Sequence, residues 1–329
     1  MHLFTLIIIF SSYLYLVLKM MQCNSVFKNN VFVDFLNKYE IRPVASASGV
    51  DDNCLQSLQS LPQLKLKFKN NFIEKSYIFL SNSDEYRFNT LYSELYSHDK
   101  NTIIWELRGG YGSARLIDKL LKLQKPLEEK IFIGYSDITA LHLFLSQHWG
   151  WKTIHGSVLS EFLKYDKDPG NLLKIANIIL KKDTTLKISE LKPMNKLAED
   201  VSNITGKLTG GNLTIVQTSL GTPWQIETKD KILFLEDIGE KSFRIDRSLN
   251  HMKQAGIFNE VEAIVFGEFT NSDEYINDTL KQFALSINVP IYKTNKFGHG
   301  YSNYPLVYNA DAVIELDSLD TGFSFIMQL

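Results

Sequence analysis

Three stretches of this sequence hold residue types that could together cleave an acyl bond. Gly134-Tyr135-Ser136-Asp137-Ile138-Thr139 follows the apolar run Ile131-Phe132-Ile133 and precedes a helical pattern. A serine at such a strand-to-helix turn exposes its Oγ at the carboxyl edge of a sheet. The next backbone N–H, that of Asp137, points to where an oxyanion would form. The general form of this nucleophile elbow is G-x-S-x-G. Here Ile138 stands in place of the last glycine, which disfavours an ordinary α/β-hydrolase. Read alone, Ser136 serves equally well as a cap for the following helix.

Arg108-Gly109-Gly110-Tyr111-Gly112-Ser113-Ala114-Arg115 also follows an apolar strand and opens a helix. Glycines there permit tight turns and close approach of a ligand. Backbone N–H groups at a helix start favour an anion or a developing oxyanion. A dinucleotide fingerprint requires G-x-G-x-x-G, but Arg115 fills the last glycine's place, and Ala45-Ser46-Ala47-Ser48-Gly49 does not supply the pattern either. Nucleotide binding is therefore disfavoured.

The third element is split. Glu236 lies in Leu235-Glu236-Asp237-Ile238-Gly239-Glu240, directly after the strand pattern Ile232–Leu235, and His299 lies in Phe297-Gly298-His299-Gly300. A serine is a weak nucleophile at neutral pH. It needs a base titrating near pH 7, and that base needs an orienting carboxylate. Read separately, Glu236 could instead pair with Arg244 or Arg247, and His299 could be a loop histidine without a role. Of the other histidines, His142 on the helix after Ser136 is expected to be packed or partly exposed, and His155, after the short strand Lys152–Ile154, is expected near the same sheet edge. No H-E-x-x-H and no paired C-x-x-C occurs, so zinc is not expected.

The elements that must position these residues alternate. Strand patterns at Arg42–Ala47, Ser76–Leu80, Thr102–Leu107 and Lys130–Tyr135 are interleaved with helical patterns at Asp84–Ser97, at Ala114–Leu123 and after Ser136. This spacing predicts parallel βαβ units with helices on both faces. Residues 165–200 change character: they are rich in Lys and Asp, carry Pro169-Gly170 and Pro193, and read as a connection between domains with one helix around Leu172–Leu180. A glycine- and strand-rich pattern follows, with strands at Gly206–Leu208, Lys231–Leu235 and Ala263–Phe266, helices at Ile245–Gly256 and Tyr275–Ile287, and a terminal β region from Pro290.

The length of 329 residues suits two domains. Apolar residues at 44% and charged residues at 22% are ordinary for a globular chain and exclude collagen, a disordered tail and a polytopic membrane protein. A formal charge of −2 gives no cationic surface to drive nucleic-acid binding. Cys23 and Cys54 are too few for a disulfide framework and are expected to be free thiols. The run Leu3–Leu18 has no charged side chain. It is short of the roughly 20 residues of a membrane-spanning helix. It resembles the apolar part of a signal peptide, yet no Lys or Arg precedes it and no A-x-A-like site follows. A start at Met20 or Met21 is the favoured alternative, and residues 1–30 are set outside the expected fold.

Taken together, Ala45–Gly49, Ser83–Arg87, Arg108–Arg115, Gly134–Thr139, His155-Gly156, Gly210–Leu213, Leu235–Arg247 and Gly298–Leu306 resemble the serine LD-carboxypeptidase family, which includes murein tetrapeptide carboxypeptidases and microcin-immunity peptidases. The stretches run in order from about residue 41 to the C-terminus. The resemblance implies a nucleophile, carboxylate and base at Ser136, Glu236 and His299. It implies an oxyanion hole from the N–H groups of Asp137 and Gly110. It also implies an α/β protein: a Rossmann-like N-terminal domain with a parallel sheet (31–165) carrying the serine, and a smaller swivelling β/α C-terminal domain (201–329) carrying the other two residues. Such proteins are commonly homodimers and use no metal or cofactor.

The expected reaction is hydrolysis of the amide that joins an L-centre to a terminal D-alanine in a murein peptide. Arg108 is a candidate partner for the free carboxylate of the D-residue. A recycling role places the enzyme in the cytoplasm; an exported or membrane-anchored enzyme requires Leu3–Leu18 to be real and retained. The sequence departs from the family after His299, where Asn303, Pro305 and Leu306 are followed by Val307, Tyr308 and Asn309 rather than by a further Pro and Gly. Two alternatives stay open: a microcin-immunity-type peptidase that cleaves a peptidyl or aminoacyl nucleotide, and a non-catalytic peptide-binding protein. The stretch Glu236–Arg247 favours the murein branch.

Overall fold

The structure, a computed structural model, describes residues 26–162, 164, 166–317 and 322–329. The run Leu3–Leu18 and Cys23 lie outside the described residues. Among the described residues no helix is long and apolar enough to cross a membrane.

The first half builds four strands of a five-stranded sheet, whose edge is completed by a late strand, Leu306–Val307. Its parallel strands are β1 (Glu40–Val44), β2 (Thr102–Glu106), β3 (Ile131–Gly134) and β4 (Ile154–His155). The helices are α1 (Asn30–Lys38), α2 (Asp52–Gln59), α3 (Asp84–Leu95), α4 (Ile117–Leu120), α5 (Thr139–His148) and α6 (Gly170–Ile179). All five residues of β2 are buried, as expected for a central parallel strand covered on both faces. Phe35 of α1 packs edge-to-face on Trp105 of β2, with ring centroids 6.3 Å apart. Ser83 caps α3, its Oγ accepting from Tyr86 N at 3.1 Å, and Asp84 and Glu85 occupy the positive first turn.

The remaining strands are β5 (Thr185–Pro193), β6 (Asn203–Asn212), β7 (Lys231–Ile238), β8 (Ala263–Thr270), β9 (Ile291–Gly298), β10 (Leu306–Val307), β11 (Asp311–Leu316) and β12 (Phe323–Gln328). All except β10 close into a seven-stranded barrel in the order β11-β12-β5-β9-β8-β7-β6. The β6–β9 ladder is parallel, and β5, β11 and β12 complete it antiparallel. Helices α7 (Lys196–Asp200), α8 (Leu213–Thr218), α9 (Ser242–Gln254) and α10 (Ile276–Leu285) connect these strands. β10 leaves the barrel and pairs antiparallel with β4, so the late chain completes the edge of the early sheet.

Three sequence expectations differ from this architecture. Ser76–Leu80 forms turns, not a strand; Ile78 is 86% exposed and Phe79 68%, and three successive apolar residues without alternation supply no buried face. Within 165–200, read as a connection, Thr185–Pro193 is a barrel strand whose exposed and buried positions largely alternate. Its Lys and Glu occupy the outward positions and mask the period-2 signal. Residues 26–30 belong to the fold as well: Val26 and Phe27 are buried, and Phe27 packs on Phe32.

Candidate active site

β3 ends at Gly134, Tyr135 is extended, and Ser136 takes φ +66° before the chain enters a short 3₁₀ turn and α5. A non-glycine residue in the left-handed region costs about 1–3 kcal/mol and persists only where its surroundings over-determine it. Here the surroundings are the Arg108–Arg115 turn. Ser113 N donates to Asp137 Oδ2 at 2.8 Å, and Ser113 Oγ donates to the Asp137 carbonyl at 2.6 Å. Both bonds lock the glycine turn to Asp137, the residue directly after Ser136.

The glycine turn is held from the other side by β1 and its loop. Ser48 N donates to Gly109 O at 3.2 Å, and Tyr111 N donates to Ser48 Oγ at 3.0 Å. Buried Arg87 donates through Nη1 to the carbonyls of Ser46 and Gly112. Gly110 sits at φ +102°, where a side chain would strike Ser48 Oγ. Arg108 is exposed, with Nη1 on the Gly49 carbonyl at 3.0 Å. Its guanidinium keeps other N–H groups for a ligand.

Glu236 lies near the end of β7, where the β7–β8 register shifts between Leu235 and Asp237. Such an irregularity re-aims side chains beside functional sites. Glu236 is fully buried, and its Oε2 lies 2.5 Å from His299 Nδ1. Gly298 makes this possible: at φ +113°, a Cβ there would lie 3.1 Å from Glu236 Cβ. The pairing with Arg244 or Arg247 is not what forms; Arg244 reaches Glu240, and Arg247 lies over the Phe243 ring.

The His299 ring packs on Tyr135, the residue before Ser136, with centroids 4.7 Å apart. The barrel's Glu–His pair thus sits at the serine turn of the parallel sheet. Among the described residues no hydrogen bond joins Ser136 Oγ to His299; such contacts often tighten only when substrate binds. Burial alone would push the His299 ring below its ordinary value, but the Glu236 carboxylate outweighs it and holds the ring above 6.5. Burial would likewise raise Glu236, and the facing His299 overrides it, keeping the carboxyl below its ordinary value. An ionised Glu236 can only accept, so Nδ1 carries the proton and Nε2 is the basic nitrogen.

Several further residues pack around these groups without a role read from the sequence. Asp237 accepts from Asn212 Nδ2, Thr214 N and Thr214 Oγ1 at 2.8–2.9 Å, pinning β7 to the start of α8. Burial and the adjacent Glu236 raise it to about 6. Asn212 N donates to Thr139 Oγ1 at 3.0 Å, joining β6 to α5. Tyr308 donates to Gly210 O, and Asn309 Nδ2 to the carbonyls of Ser146 and Trp151. The residues that depart from the family pattern after His299 therefore seal the barrel against the sheet. His142 is buried, its Nε2 2.9 Å from Gly134 O, and desolvation lowers it to about 3. His155 is buried against Tyr135 and Phe234, and desolvation lowers it to about 4. Among the described residues no cluster of three or more His, Cys, Asp or Glu is arranged to hold a metal ion.

Comparison with known proteins matches both halves of this arrangement. The profile of the LD-carboxypeptidase N-terminal domain matches residues 41–156, and that of the LD-carboxypeptidase C-terminal domain matches residues 205–314. The chain belongs to the LD-carboxypeptidase family. A supposed carboxypeptidase of Rickettsia conorii is 50% identical over 280 residues, covering 85% of this chain and 89% of its own. The murein tetrapeptide carboxypeptidase of Pseudomonas aeruginosa is 29% identical over 261 residues, covering 74% of this chain and 81% of its own. The crystal structure of muramoyltetrapeptide carboxypeptidase from Oxalobacter formigenes superposes with a TM-score of 0.73 at 24% identity, covering 88% of this chain and 98% of that one. The LD-carboxypeptidase fold is thereby established: a parallel α/β sheet joined to a barrel-like second sheet.

Proposed function

We propose that this LD-carboxypeptidase releases the terminal D-alanine from murein tetrapeptides, with Ser136 as nucleophile, His299 as base and Glu236 as its orienting carboxylate. The observation that carries the reading is the Glu236–His299 pair at 2.5 Å, packed against Tyr135 beside the strained Ser136. The likeness to the Pseudomonas aeruginosa enzyme supports the murein substrate.

His299 Nε2 takes the proton of Ser136 Oγ as Oγ adds to the carbonyl of the L-centre. The N–H groups of Asp137 and Gly110 receive the oxyanion; losing one such donor typically costs about 100- to 1000-fold in rate. The imidazolium, stabilised by Glu236, then gives its proton to the leaving D-alanine nitrogen. Water, deprotonated by His299, cleaves the acyl-serine ester and restores the enzyme. Arg108 meets the substrate's free carboxylate at the rim.

The test is a side-by-side assay of a murein tetrapeptide and a peptidyl nucleotide, reading free D-alanine and free nucleotide. Turnover of the tetrapeptide is expected. Turnover of the nucleotide conjugate alone would assign the chain to the microcin-immunity branch. Binding of either without turnover would make it a binding protein.

A further inference from the structure

Lys167 and Glu161 form an ion pair (3.4 Å) on the segment after β4, with side chains only 9% and 3% exposed. Lys167 Nζ donates to the carbonyl of His299 at 2.7 Å and to that of Gly300 at 2.8 Å. Glu161 Oε1 accepts from the Tyr135 hydroxyl. One buried ion pair therefore touches both the loop bearing His299 and the residue before Ser136. The contact is reinforced along the chain: Asp168 N donates to Tyr301 O at 2.8 Å, and Lys174 lies over the Tyr304 ring at 4.1 Å.

We propose that Glu161 and Lys167 are positioning residues that couple the base-bearing loop of the barrel to the serine turn of the parallel sheet. The Glu236–His299 bond fixes the ring from behind. It does not fix the loop backbone against the other sheet. A buried ammonium that holds two successive carbonyls does, because losing it costs both acceptors a charge-assisted hydrogen bond. The pairing with Glu161 offsets the cost of burying that ammonium. The inference rests on the reading of His299 as the base.

Charged and titratable groups face His299 from every element packed on it: Glu236 from β7, Tyr135 after β3, His155 from β4, Glu161 and Lys167 from the following segment, and Glu268 from β8 beside Gly300. After Glu236, Glu161 favours the protonated ring and Lys167 opposes it.

The test uses the full chain and two substrate-free readouts. In Glu161→Gln, which keeps shape and an acceptor for Tyr135, the His299 ring titration followed by NMR falls by about half a unit. The signal is assigned with a His299→Asn variant. In Lys167→Met, hydrogen exchange across residues 297–304 quickens about tenfold while β7 is unchanged. A pair that merely filled space would move neither locally. With tetrapeptide, Lys167→Met lowers kcat about tenfold with KM within twofold, and Lys167→Arg recovers most of the loss. Unchanged His299 titration in the first variant, or unchanged or global exchange in the second, overturns the proposal. If the parent chain releases no D-alanine, the murein reading fails, and the two substrate-free readouts still decide the coupling. If Lys167→Met does not fold, the Glu161→Gln titration decides.

Discussion

Gly109 packs directly on Ser136: a Cβ at position 109 would lie 2.7 Å from Ser136 Cβ and 2.9 Å from Ser136 Oγ. The left-handed region is not what demands glycine here, because Gly109 has no positive φ. The demand is room for the serine hydroxyl.

Gly109→Ala should therefore fold and lose activity. The methyl displaces Oγ by a fraction of an ångström to an ångström, and misplacement on that scale costs about 100-fold. kcat/KM with a tetrapeptide, together with a melting curve, checks this. A variant with normal rates would mean that the position of Oγ against the glycine turn is irrelevant to the reaction.

Glu236→Gln should retain the fold and drop kcat by about 1000- to 10,000-fold, because an amide opposite Nδ1 favours the wrong tautomer and leaves the imidazolium unsupported. The variant is close in shape, so its thermal midpoint should change little. A loss below tenfold would remove Glu236 from the reaction.

The pH profile follows from the same pair. In the proposed mechanism His299 must be neutral to accept the serine proton, and Glu236 holds it protonated above its ordinary value of 6.5. kcat/KM should rise with pH through a limb above 6.5, and that limb should move to lower pH in Glu236→Gln through its residual activity. A limb below 6.5 in the parent would contradict the ion pair as described.

Much of the site was legible because its chemistry sits in short contiguous stretches. Ser136 stands at the junction of a β-branched run and a helical pattern, and glycine clusters mark the turn at 108–112 and the loop at 298–300. The parallel sheet was legible for the same reason, since buried parallel strands read as apolar runs. What could not be read was contact between distant segments. Nothing local to Glu161 or Lys167 says that they meet, or that they meet Tyr135 and His299. β5 was missed because its outward Lys and Glu resemble a polar linker, and Ser76–Leu80 was misread because β-prone residue types lie there without a buried face.

Glu106 gives a stability prediction outside the chemistry. It is wholly buried, with Oε2 accepting from Ser46 N at 3.0 Å. Burial raises it to about 7 from 4.5, a shift the Ser46 hydrogen bonds and Arg87 only partly counter. A raised acid contributes stability that is fully present below about pH 4.5 and is lost as pH rises through about 7, on the order of 3 kcal/mol in all. Glu106→Gln cannot ionise. It should be relatively more stable than the parent at pH 8 than at pH 4.5. Denaturant midpoints at the two pH values test this; a constant difference between the two proteins would show that the Glu106 carboxyl titrates alike in the folded and unfolded chains, without the raised value.

We propose Ser136 as the nucleophile that attacks an LD-amide at the junction of the sheet and the barrel. Purified parent and Ser136→Ala chains, incubated with a murein tetrapeptide and assayed for free D-alanine, test it most directly. Release by the parent and a loss of about 1000-fold or more in the variant are expected. Equal release by both proteins would contradict it.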